Sequence, residues 1–102
     1  MPKPLTLALA KTLGHGDYLC HMWLKRADRK RPISVRVNGR VQVWKRSPER
    51  VRVPWKYGLY EYGAVTEANL GDWYLCRGDG EGTPLSDNEI AKRLLERSTR
   101  VL

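Results

Sequence analysis

Seven cationic side chains and two indoles share one short stretch of this chain. They are Arg36, Arg40, Lys45, Arg46, Arg50, Arg52 and Lys56, with Trp44 and Trp55 among them. Cations spread along a surface can contact successive phosphate oxygens, and flat rings can stack on unpaired bases. Arginine, which supplies five of the seven charges, has a planar fork that serves both purposes better than lysine does. The chemistry on offer is therefore recognition of a polyanion, with no bond made or broken.

Other reactive residue types are sparser. Asp17, Cys20 and His21 lie close in sequence, with His15 and Cys76 elsewhere. Zinc sites use ligand pairs at set spacings, and neither C-x-x-C nor H-x-x-x-H occurs. A Cys20 and His21 nucleophile pair stays open, since such pairs assemble in space. A buried Cys20 and a half-exposed His21 on one strand is the simpler reading. Gly78, Gly80 and Gly82 alternate with Asp79, Glu81 and Thr83; acids there would repel phosphate, and the spacing is not that of a calcium loop. The expectation is a chain with no catalytic residues, no metal and no cofactor.

The totals point the same way. The 102 residues suit one domain with one modest core. Net charge is +8, but residues 25–56 hold twelve Lys/Arg against two acids, and residues 61–89 hold seven acids against one arginine. Such a basic half favours nucleic acid first, an acidic protein surface second and anionic lipid third. The aromatics are four Trp and five Tyr without Phe, so every ring carries a polar handle suited to interfaces. Two cysteines make no secreted disulfide framework, and buried thiols are expected, with their pairing left open. The apolar run at residues 5–10 is too short for a secretory segment and nothing later could span a membrane, which suggests a soluble, cytoplasmic protein.

The elements that must hold the cations read mainly as strands. Ile33 and Val35, Val41 and Val43, then Val51, Val53 and Trp55 fall at alternate positions, the mark of strands with one buried face. Asn38-Gly39 suggests a hairpin over residues 33–45. A three-residue loop with Gly39 as a left-handed bulge sets Val35 against Val41, Ile33 against Val43 and Arg36 against Arg40. That register puts Trp44 on the face of Arg36, Arg40 and Gln42, while Trp55 or Tyr57 borders it. Ser47-Pro48-Glu49 reads as a type I turn, and Pro54 as a strand end or sheet edge.

Around this centre, residues 1–16 form a short N-terminal element, a short helix or turn by the spacing of Leu5, Leu9 and Leu13, although Leu5, Leu7 and Leu9 also alternate as in a strand. Residues 17–65 carry the sheet: a first strand over 17–26, a charged turn over 27–32, the hairpin, and a kinked last strand over 57–65. Residues 66–85 read as an acidic loop region with one helical turn near Thr66. Residues 86–98 read as a helix opened by a Ser86 and Glu89 capping box, with Ile90, Ala91, Leu94 and Leu95 as its apolar stripe. Glu89 with Arg93, and Glu96 with Arg100, make favourable pairs four apart. Four or five short antiparallel strands and one helix indicate a mainly β, or α+β, domain in the form of a partly open barrel.

Two resemblances add to this reading. The run WKRSPERVRVPWKYGLY, residues 44–60, resembles a stretch in short, basic, uncharacterised proteins of phages and mobile elements. Residues 13–19, LGHGDYL, resemble the first strand of SH3-like barrels. The first implies a phage or prophage context and transfers no catalytic residue. The expected function is DNA or RNA binding with little sequence preference, through Arg36, Arg40, Trp44, Lys45, Arg46, Arg50, Arg52, Trp55 and Lys56. The alternative is a phage-type protein-interaction module or inhibitor that docks on a host protein, with Trp, Tyr and Arg as anchors.

Overall fold

Alternating valines make the strands, and the sheet they form coils around them. The computed structural model describes residues 2–25, 32–78 and 81–100. A short helix α1 (Leu7–Ala10) precedes strands β1 (Tyr18–Lys25), β2 (Pro32–Val37), β3 (Gln42–Trp44), β4 (Ser47–Tyr57) and β5 (Glu61–Thr66). A 3₁₀ turn (Leu70–Asp72), β6 (Trp73–Cys76) and the C-terminal helix α2 (Asp87–Arg100) complete the order. The charged turn expected at 27–32 lies, up to residue 31, outside the described residues.

All described strand pairs are antiparallel. β4 is the spine: β5 runs along one of its edges, while β2 and β3 follow each other along the other. β2 also pairs with β1, and β1 with β6, so the last strand returns to the first. Counting β2 and β3 as one interrupted strand gives five, in a small, mainly β, partly open barrel.

The hairpin expected over residues 33–45 is not formed. β2 does not pair with β3; both pair with β4, at Arg36↔Lys56 and Val37↔Trp55, then at Gln42↔Arg52 and Val43↔Val51. The chain keeps its direction through Asn38-Gly39 and bulges there, with Gly39 at φ 103°. Four residues thus stand opposite two. Glycine in the left-handed region serves a bulge as readily as a turn, and long-range pairing with β4 decides between them. The reversal comes later, at Lys45-Arg46, between paired Trp44 and Ser47. Ser47-Pro48-Glu49 is therefore strand, not the expected turn. Pro54 neither ends β4 nor lies at an edge: it pairs with Ala64, and its carbonyl accepts from Asn38 N at 2.9 Å. Its missing N–H faces the bulge, where a ladder donor is dispensable.

Strand alternation then sorts the side chains. Leu19, Val35, Val37, Val51, Val53, Val65 and Leu75 point inward and are buried. Each such side chain contributes about 1.5–3 kcal/mol by leaving water. Leu5, Ala10 and Leu13 close one end of this core from the N-terminal segment. Thr6 caps α1, its Oγ1 accepting from Leu9 N at 3.2 Å. Helix α2 starts as expected: Glu89 N donates to Ser86 Oγ at 3.2 Å, and Ser86 N to Glu89 Oε1 at 3.4 Å.

Two expectations about the C-terminal third need correction. The supposed loop region 66–85 contains β6, whose four residues WYLC are all buried. A short continuous apolar run is what a strand covered on both faces shows. Leu75 joins the main core, whereas Tyr74 and Cys76 join Cys20 in a second cluster, where the Tyr74 hydroxyl donates to Gly82 O at 2.7 Å. Beside β6, Leu5 N donates to Trp73 O at 2.9 Å and Leu85 N to Leu75 O at 3.1 Å, and Pro84 forms a bridge with Cys76. The expected Glu89–Arg93 pair gives way to contacts off the helix, whereas the expected Glu96–Arg100 pair lies outside the described side chains. Glu89 pairs with Arg77 at 2.6 Å, Arg93 with buried Asp17 at 2.8 Å, and Asp87 with Lys3 at 3.0 Å. Those ties, with Ile90 against the core, hold α2 to the barrel.

Candidate nucleic-acid interface

Directly opposed residues of an antiparallel pair share a face. One row across the sheet therefore runs Tyr18, Arg36, Lys56, Tyr62, taken from β1, β2, β4 and β5. A second row, two turns of the pleat along β4, runs Gln42, Arg52, Thr66. Arg50 belongs to the same outer face, since its guanidinium lies 4.3 Å from the centre of the Trp44 ring. Lys45 and Arg46 project from the tight turn beyond Trp44, and Arg40 from the bulge.

Of the expected cations, Arg36, Arg40, Lys45, Arg46, Arg50 and Arg52 are exposed and Lys56 is half-buried. Only Arg50 meets a carboxylate among the described residues, Glu67 at 3.7 Å; the others stand without one. Unneutralised like charges on one sheet face repel one another and favour an external anion. Trp44 is half-buried, with one side of its ring covered by Arg50. Beside it lies a shallow depression of about 510 Å³ lined by Arg40, Val41, Gln42, Val43 and Trp44.

Trp55 does not belong to this face. It alternates with Val51 and Val53 and points inward, opposite Val37 and Gly63, with its ring 6.0 Å from that of Trp73. The valine period already contained this answer; sequence proximity to Lys56 concealed it. Tyr62, by contrast, stands on the outer face and was not among the expected residues. Its parity with Lys56 was hidden because the turn at Gly58, which sets the β4–β5 register, was read as a kink within one strand. Gly58 takes φ 64°, and the chain reverses over Gly58, Leu59 and Tyr60.

The thiol and imidazole candidates are placed apart. Cys20 Sγ donates to Cys76 Sγ at 3.0 Å within the second cluster, with Ser34 Oγ 3.8 Å from Cys76. The hydrogen bond with Cys20, and then burial, push the Cys76 thiol far above the ordinary range. His21 lies on the other face of β1, its ring edge-on to Trp73 at 4.9 Å and its Nδ1 accepting from Trp23 N and Leu24 N. Cys20 and His21 therefore form no nucleophile pair. Asp17 carries out a structural task, accepting from Gly14 N at 2.8 Å and from Arg93. No helix among the described residues is long and apolar enough to cross a membrane.

No family model, no curated protein and no solved structure matches the chain.

Proposed function

We propose that this chain is a non-enzymatic nucleic-acid-binding domain of small barrel form, using the outer face of β2, β3 and β4 with little sequence preference. The observation that carries the reading is the set of exposed cations without carboxylate partners among the described residues, Arg36, Arg40, Lys45, Arg46 and Arg52, around the half-buried ring of Trp44. Phosphate contacts supply most sequence-independent affinity and make it depend on salt. Five or six neutralised phosphates give a log–log salt slope of roughly −3.5 to −5.5 across single- and double-stranded partners.

The test is binding of labelled DNA and RNA across a salt series, for the natural chain and for the triple variant Arg36→Ala, Arg40→Ala, Arg52→Ala. Removing three contacts should flatten the slope by roughly two to three units, while thermal unfolding stays almost unchanged because exposed substitutions alter stability little. A slope unaffected by the triple change sinks the proposal.

A second reading, a phage-type module that docks on a host protein, is favoured by a separate observation. Trp23 and Leu24, 62% and 55% exposed, stand together beyond the last β1–β6 rung. Exposed tryptophan is a common anchor in protein contacts. A stoichiometric protein retained from nuclease-treated lysate by the natural chain but not by Trp23→Ala would favour this reading.

A further inference from the structure

We infer that the basic face takes single-stranded nucleic acid in preference to a duplex, with Tyr62 as its main stacking platform and Trp44 as the second. The inference rests on the nucleic-acid reading above and specifies its substrate. A face built for duplex phosphate needs cations alone, because the flat faces of paired bases are hidden within the stack. This face has rings as well. Tyr62 is 63% exposed, directly opposite Lys56, whose Nζ lies 5.5 Å from the ring centre. Tyr60, 88% exposed, stands at the adjoining turn. At the far end of the face, Arg50 covers one side of Trp44 beside the depression next to Arg40 and Gln42.

Arg36, Lys56 and Tyr62 thus lie in one line across the strands, cation next to ring. Neighbouring strands are about 4.8 Å apart, so a phosphate on Arg36 leaves the adjacent unpaired base within reach of Tyr62. An exposed ammonium over a ring is a weak contact compared with a stacked base. A base can therefore displace Lys56 from Tyr62, and the released ammonium turns to the phosphate. Tyr18, at the other end of the row, offers no such platform. Its ring lies against Gly78, where an added Cβ would come within 2.7 Å of the ring.

The experiment is fluorescence anisotropy at matched salt, with labelled single strands of DNA and RNA and a DNA duplex of the same length, on the natural chain, Tyr62→Ala and Tyr62→Phe. The expected result is tighter binding of a single strand than of the duplex. Tyr62→Ala should lose about 5- to 150-fold in single-strand affinity, the worth of one stacked base. Its duplex affinity and salt slope should not change, and Tyr62→Phe should bind like the natural chain. Circular dichroism of each variant confirms that exposed Tyr62 can be replaced without unfolding. Equal single-strand and duplex affinity, or a Tyr62→Ala variant without loss, overturns the inference and leaves the polyanion reading standing. Failure of both strands and duplex to bind near physiological salt overturns the inference together with the reading beneath it.

Discussion

Gly63 faces Trp55 across the β4–β5 pair, and the indole lies over it. A methyl group added at Gly63 would stand 2.7 Å from both Cε2 and Cη2 of that ring, with Cζ2 nearer still. Carbon atoms pack at about 3.5–4.0 Å, so the ring would have to retreat by roughly 1 Å. Trp73 stands 6.0 Å away, centre to centre, and restricts that retreat. Overpacking of this kind costs about 1–3 kcal/mol. Against it, replacing glycine by alanine at a position free of positive φ, as Gly63 is, gains about 0.4–1 kcal/mol by restricting the unfolded chain. The crowding wins. Gly63→Ala should lose about 1–2 kcal/mol, and the midpoint should fall by roughly 5–15 °C for a domain of this size. Thermal and urea unfolding followed by far-ultraviolet circular dichroism would measure it. Gly71→Ala is the control, since a Cβ there meets nothing within 4 Å. Adding Trp55→Leu to Gly63→Ala should recover part of the loss, and the coupling in that cycle isolates the contact. A Gly63→Ala protein as stable as the natural one would refute the placement of the Trp55 ring over Gly63.

Two further outcomes concern the rest of the molecule. Cys20 and Cys76 are buried and Cys76 is held protonated, so both thiols should resist iodoacetamide in the folded chain and react in urea; mass spectrometry showing fast labelling of Cys20 without unfolding would contradict this. The Arg77 guanidinium, helped by the Ser86 cap, holds the Glu89 carboxyl below the ordinary glutamate range. A depressed folded pKa gives stability that is present above the unfolded value, near 4.3, and is lost as pH falls through the lower folded value. The protection factor of the Ile90 amide, whose N–H donates to Ser86 O at 3.0 Å, should therefore fall under acid once the intrinsic pH dependence of exchange is divided out, and Glu89→Gln should remove that dependence.

Much of the fold was written in short-range patterns. The valine alternation marked the inner face of β2 and β4, and the Ser86 and Glu89 pair marked the start of α2, because both depend on residues a few positions apart. Pairing partners depend on distant segments and were harder to read. Asn38-Gly39 has the composition of a reversing turn, yet β4 continues along the chain on both sides of it. β6 was read as loop because its four residues sit among acids and glycines, and only the two clusters that cover it make it a strand. Arg36, Arg50, Arg52 and Lys56 follow from strand alternation alone, whereas Arg40, Lys45 and Arg46 are exposed because they sit on the bulge and the turn. Tyr62 depends on the β4–β5 register, which no local signal provides, and Trp55 follows its parity with Val51 and Val53 rather than its cationic neighbours in sequence.

An open sheet leaves its outermost strands with backbone groups that could recruit a strand from another molecule. β6 lies at such an edge, yet the chain's own segments occupy it: Leu5 at one end, Pro84 and Leu85 at the other. Pro84 offers no N–H to a newcomer. The edge of β6 that would otherwise template self-association is shut by the residues that lead into the barrel and out of it.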